Sequence, residues 1–183
     1  MAEALAVLAP IAAIYLLAAH GCGWPRRRAA AFLAGLALFA VAAGLGDEPL
    51  ARHMASHALM VCGAAPLLVL GAPVSLALRR LPRAEARELA ALIAARPLRW
   101  LVNPVIAWAL FVAVQLAFHV TPLFAAALDH PLLHALEHAA FLLSALAFWD
   151  CTIGTDPIPG RPSPPLRALM LLTAMPAMDA SGA

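Results

Sequence analysis

At 183 residues, 64% of them hydrophobic and 12% charged, with a mean hydropathy of +0.87, the chain lies outside the composition range of soluble domains and needs lipid as its solvent. Its net charge of +2 rests on arginine alone, histidine aside, and basic residues that hug a bilayer are topology signals, not a case for a nucleic-acid partner. No hydrolytic triad, phosphate-binding loop or dinucleotide fingerprint is present, so the chain reads as no enzyme.

A spanning helix takes roughly 20 apolar residues to cross a ~30 Å hydrocarbon core, which leaves room for about six spans joined by short loops. The fold class expected is therefore all-α, a single polytopic transmembrane helix bundle with no soluble domain beside it. The spans fall at about residues 4–20, 29–46, 53–78, 101–119, 131–151 and 166–183. The 16 prolines do not oppose this, because membrane bundles tolerate proline inside spans and at span ends.

In chain order, the first apolar run is followed by Arg26, Arg27 and Arg28, the reverse of a secretory signal, so it reads as a retained span. Span two ends at Gly44, Gly46 and the polar group Asp47, Glu48 and Pro49. Span three holds Pro66 and Pro73 as expected kinks. Residues 79–99 form the longest polar stretch, with a helical segment over 84–95 expected to lie along the headgroups. Residues 120–129 connect span four to span five, which opens on Pro131, a residue suited to a first helical turn. Residues 155–165, rich in proline, read as a stiff extended connector. No polar terminus follows span six, and the expectation is a polypeptide cut short there, with further spans missing.

Eleven of the twelve arginines lie in loops on one side: Arg26, Arg27 and Arg28; Arg79, Arg80, Arg83, Arg87, Arg96 and Arg99; Arg161 and Arg167. Only Arg52 is on the other. The positive-inside rule makes the arginine side cytoplasmic and the N-terminus external.

With that topology, six of the seven histidines share the outer face: His53 and His57 at the start of span three, His119 at the end of span four, and His130, His134 and His138 at the start of span five. His20 is the exception. A spacing of four stacks His53 with His57, and His134 with His138, on one face of each helix with about 6 Å of rise. Two such pairs on helices entering from the same side can face each other and supply four nitrogen ligands, the way bundle-core metal sites are built. An interfacial imidazole also serves simply to bridge headgroups and helix ends, and this reading stands beside the metal one for each residue alone. The paired four favour the metal, because ionisable residues within spans are costly.

Glu137 lies one turn from His134, where it acts either as a metal ligand, as an acceptor for an imidazole N–H, or as a rim carboxylate at the helix start. Met54 and Met60 flank the first pair; a thioether beside imidazoles favours copper(I) over zinc, and packing is the plainer role. Asp47, Glu48 and Asp129 add acidic charge on the outer side. Cys22, Cys62 and Cys151 form no CxxC, so neither a disulfide framework nor a redox motif is implied, and reduced, buried thiols are expected.

Residues 53–73, HMASHALMVCGAAPLLVLGAP, resemble the signature span of the CtaG-like family of multi-span bacterial cytochrome c oxidase assembly factors, in which an HMxxH opening runs into an apolar PLLVLGAP segment. Residues 134–149, HALEHAAFLLSALAFW, resemble the family's second HxxxH span, and 156–162 its proline-rich connector. The resemblance covers about residues 24–176 and departs from the family's usual seven or so spans. It implies a multi-pass protein of the bacterial inner membrane that assists assembly of a heme-copper oxidase, with oxidase subunits and copper chaperones as partners. Copper provision at the periplasmic face follows, with His53, His57, His134 and His138 as the metal contacts and Met54, His119, His130 and Glu137 as further candidates.

Two other classes remain open. Histidine pairs on spans also ligate heme; two hemes would need both pairs to face each other across stacked positions, and His53 with His138 and His57 with His134 could pair in that way. A scaffold or transporter without bound metal is the other.

Overall fold

Alanine- and leucine-rich runs in lipid must satisfy their backbone groups internally, and the helix is the local solution. The computed structural model describes residues 2–45, 50–157 and 160–179, and among these the chain is helical with no strand. Helices α1 (Ala2–Ala19) and α2 (Arg26–Gly44) are joined through Gly21 and Gly23, both at positive φ (70° and 65°). The third apolar element, Leu50–Arg80, is built from α3 (Leu50–Ala58), a π-helical segment (Leu59–Ala64), α4 (Ala65–Leu70) and α5 (Pro73–Arg80). Helices α6 (Arg83–Ala94) and α7 (Arg96–Leu101) follow, then α8 (Pro104–Val120), α9 (Leu123–Asp129), α10 (Pro131–Thr152) and α11 (Pro164–Asp179).

Among the described residues, Arg26–Gly44, Leu50–Arg80 and Pro131–Thr152 are long and apolar enough to cross a membrane; α8 and α9, bent by 71°, make a fourth if taken as one span. Ala6–Ala19 is a shorter apolar helix. The molecule is apolar outside as well as in. Ile14, Leu17, Leu132, Leu143 and Leu172 are each more than 60% exposed, a surface only a bilayer would solvate.

Both expected kinks coincide with breaks in regularity. Pro66 sits in the first turn of α4, where the π-helical segment hands over, and Pro73 opens α5. Between them Ala72 adopts the left-handed conformation at φ 50°. The backbone groups freed by this break are taken up by side chains from far along the chain. Asp156 accepts from the amides of Val74 and Ser75 at 3.1 and 2.7 Å, and Tyr15 donates to the Gly71 carbonyl at 2.7 Å while accepting from Trp24 Nε1 at 2.8 Å.

Two expectations are corrected. Residues 120–129, read as a connector, hold the seven-residue α9, because Pro122 and the apolar run behind it restart the helix on a new axis. The thiols are free, but only Cys151 is buried; Cys62 is exposed on the outside of the broken span and Cys22 is half-buried. The expected helix at 84–95 is α6, which buries none of its residues. Asp47, Glu48, Pro49 and residues 180–183 lie outside the described residues.

Two contact systems define the ends of the bundle. At one, Tyr15 meets Gly71, Asp156 meets Ser75, Cys151 Sγ reaches the Val102 carbonyl at 3.3 Å, and Arg167 Nη1 lies 3.4 Å from the Thr152 carbonyl. This is the end of the arginine-bearing loops. At the other, Ser56 Oγ donates to the Ala42 carbonyl at 3.0 Å and the histidines gather. From Arg28 to Ala42 along α2 the two are about 21 Å apart. Between them Phe111 stacks on Phe148, with centroids 4.5 Å apart, amid Met60, Val61, Ala107 and Phe141. Gly35 lets α2 and α4 approach closely: a Cβ there would stand 2.8 Å from the Leu68 amide nitrogen.

Candidate metal centre

Helix α3 turns His53, Ser56 and His57 inward, and the Ser56 bond to Ala42 pins that face against α2. Helix α10, opened by Pro131, brings His134, Glu137 and His138 to the same level. The two pairs meet. Ring centroids are 4.2 Å apart for His53 and His57 and 4.4 Å for His134 and His138 within each helix, and 5.4 Å for His53 and His134 and 5.0 Å for His57 and His138 between helices. First faces first and second faces second, because both helices run in the same direction. His53 and His138 also come within 6.0 Å.

Burial divides the candidates. His53, His57 and Glu137 are 0%, 1% and 0% exposed, while His119, His134 and His138 are half-buried. Glu137 reaches back along α10, as helical side chains tilt toward the N-terminus, and its Oε2 stands 3.9 Å from His53 Nε2, within ion-pair reach but beyond a hydrogen bond. His119 on α8 adds a fifth imidazole, 5.9 Å from His57. Its Nδ1 lies 2.7 Å from the Gln115 carbonyl, which can only accept, so Nδ1 donates. His130 is exposed at the N-cap of α10, outside the ring contacts. Met54 is half-buried beside His53, and Met60 belongs to the apolar core.

Two sets of three groups converge closely enough to hold an ion: His53, His57 and His138, and His53, His134 and Glu137, each with ligand atoms within 4.8 Å of one another. A metal with bonds of about 2.0–2.1 Å wants its nitrogens roughly 3.4 Å apart, so side-chain adjustments on the order of an ångström close either set. The donors are imidazole and carboxylate, and no cysteine among the described residues joins them. His57 is the most telling member: both ring nitrogens are buried with no hydrogen-bond partner. An imidazole left so costs about 1–3 kcal/mol, which one metal bond would offset.

Sequence reasoning missed two aromatic residues of the centre. Phe141 packs on His57 at 4.5 Å and on His119 at 5.3 Å; its place three residues after His138, on the same helical face, was a usable signal. Phe124 on α9 lies 5.5 Å from His53, and no pattern in residues 120–129 announces it.

Apolar helices long enough to cross a membrane, gathered around a buried histidine cluster, define a membrane protein with a histidine-rich centre near one end of its bundle. The chain belongs to the family described as cytochrome c oxidase caa3 assembly factor (Caa3_CtaG), which matches residues 11–183. Uncharacterized proteins of Mycobacterium bovis and Mycobacterium tuberculosis are each 35% identical to it over 169 residues, covering 86% of this chain and 26% of their own length. One of Mycobacterium leprae is 33% identical over 168 residues, covering 85% of this chain and 26% of its own. The chain thus spans about a quarter of the length of the curated relatives it matches. No solved structure matches it.

Proposed function

We propose that this chain is an integral membrane assembly factor for a heme-copper cytochrome c oxidase, carrying copper as cargo on His53, His57, His134 and His138 and performing no catalysis. The family match supports the assembly role, and the partners that follow are oxidase subunits and a copper chaperone. Arginine placement supports an orientation in the inner membrane of a bacterium with the histidine end facing the periplasm, where an outward-facing copper centre must be filled. The observation that carries the copper reading is His57, whose two buried, unpartnered nitrogens stand among imidazoles of three helices. Imidazole donors suit copper, and a half-buried Met54 thioether nearby leans the site toward copper(I). A heme macrocycle is the poorer fit: it must slot between facing rings, and facing centroids only 5.0 and 5.4 Å apart fill that gap with the imidazoles themselves.

The test is made in cells that lack the native gene and carry either the wild-type or the His53→Ala, His57→Ala chain. Oxidase purified from the double variant is expected to hold its heme but far less than its full copper. Full copper content in that oxidase would contradict the proposal.

A further inference from the structure

The cluster is not one symmetric four-histidine cage. Its two convergent sets overlap in a single residue, His53, and differ in donor chemistry: His134 and the Glu137 carboxylate complete one, His57 and His138 the other. Each set has two buried members and one half-buried, and the two differ in level along the helices. His57 and His138 stand four residues beyond His53 and His134 on parallel helices, about 6 Å further into the bundle, where Phe141 packs on His57. His134 is half-buried at the mouth, next to the exposed His130.

We infer that the cluster holds one copper(I) ion in two alternating positions that share His53: an outer one with His134 and Glu137 through which the ion enters and leaves, and an inner one with His57 and His138 that retains it. The inference rests on the reading of the cluster as a copper-holding site and specifies how that site works. In the inward step the bonds from copper to the His134 nitrogen and the Glu137 oxygen break and bonds to the His57 and His138 nitrogens form. His53 stays bound throughout, so the ion is never without a ligand. Copper remains copper(I), and no electron moves. Chemistry assigns the roles. The outer carboxylate neutralises an incoming cation within the apolar bundle, where an uncompensated charge is costly. The inner all-imidazole set offers the softer donors that copper(I) prefers. A shared ligand also makes occupancy exclusive, one ion per chain.

The experiment uses the full chain in nanodiscs, loaded with copper(I) alone, with stoichiometry by elemental analysis and affinity and exchange rate by competition with a chromophoric chelator. Wild type is expected to bind one copper. Glu137→Gln, which preserves shape, is expected to keep one copper and to exchange it about tenfold more slowly, whereas His57→Ala is expected to keep one copper at least about tenfold more weakly and to release it faster. His53→Ala is expected to bind none. A His57→Asn chain that remains monodisperse stands in if the alanine variant misfolds. Equal loss of affinity in Glu137→Gln and His57→Ala, with no divergence in rate, would mean a single site and overturn the two positions while leaving copper carriage intact. Retention of copper by His53→Ala would overturn them as well, and a wild-type chain that binds no copper would remove the reading beneath them.

Discussion

Phe124 stands edge-on to His53, with ring centroids 5.5 Å apart and planes at 68°. It is carried by α9, which turns 71° away from α8 and packs on both α8 and α10, so the helix lies beside the histidine cluster with an aromatic ring on its most buried imidazole. Replacing Phe124 by alanine removes that cover without touching a donor atom. Copper(I) release to a chelator should accelerate severalfold while the number of ions bound stays the same. An unchanged release rate would place the exchange path elsewhere.

Asp156 is the main prop of the break in span three. It lies 82 residues along the chain from Val74, yet its two carboxylate oxygens receive the first free amides of α5. Asp156→Ala should cost about 1–3 kcal/mol, since two amides lose a charged acceptor in a site of low polarity. Asp156→Asn, which keeps one acceptor oxygen, should cost less. Equilibrium unfolding in detergent followed by circular dichroism measures both, and equal stability of wild type and the alanine variant would refute the role.

Gly35 permits the contact between α2 and α4, where an added Cβ would meet Leu68 N at 2.8 Å and Leu68 Cγ at 2.9 Å. Gly35→Val should therefore destabilise the bundle by about 1–3 kcal/mol through overpacking. Because α2 also presents the Ala42 carbonyl to Ser56, the same substitution should disturb the histidine end. Thermal unfolding of the purified variant reads the first effect. A valine chain as stable as wild type would show that the helices separate freely at this point.

Orientation is open to chemical labelling. Asp129 and Arg83 are both exposed and belong to opposite ends of the bundle. With the native cysteines removed, Asp129→Cys should react with an impermeant maleimide added outside, and Arg83→Cys only after the membrane is opened. Labelling in the opposite sense would move the histidines to the cytoplasm and end the idea of supplying an outward-facing centre.

Much of this architecture was legible in the sequence because its signals are local. Apolar runs bounded by arginine and glycine announce helices, and a spacing of four places His53 above His57 and His134 above His138 whatever surrounds them. The features that escaped are those set by distant contacts. Nothing near Ala72 says that an aspartate 84 positions later will cap the helix beyond it, and the left-handed alanine is tolerated only because Tyr15 and Asp156 take up the freed backbone. Helix α9 escaped because Thr121 and Pro122 read as a loop, although the bend they cause is what carries Phe124 to His53. The pairing register likewise depends on helix direction: two helices entering from one end match first with first, which spacing within one helix does not announce. Glu137 was visible as a candidate, but its complete burial against His53 was not, since burial depends on α3 and α9 as much as on its own helix.

The central claim, that the histidine pairs hold copper, is tested most directly by elemental analysis of the purified membrane protein, wild type beside the His53→Ala, His57→Ala double variant, after loading with copper(I) and removal of loosely bound ion. About one copper per chain is expected in the wild type, since the convergent groups share His53, and close to none in the double variant. Equal copper in the two proteins, or none in either, would contradict the account.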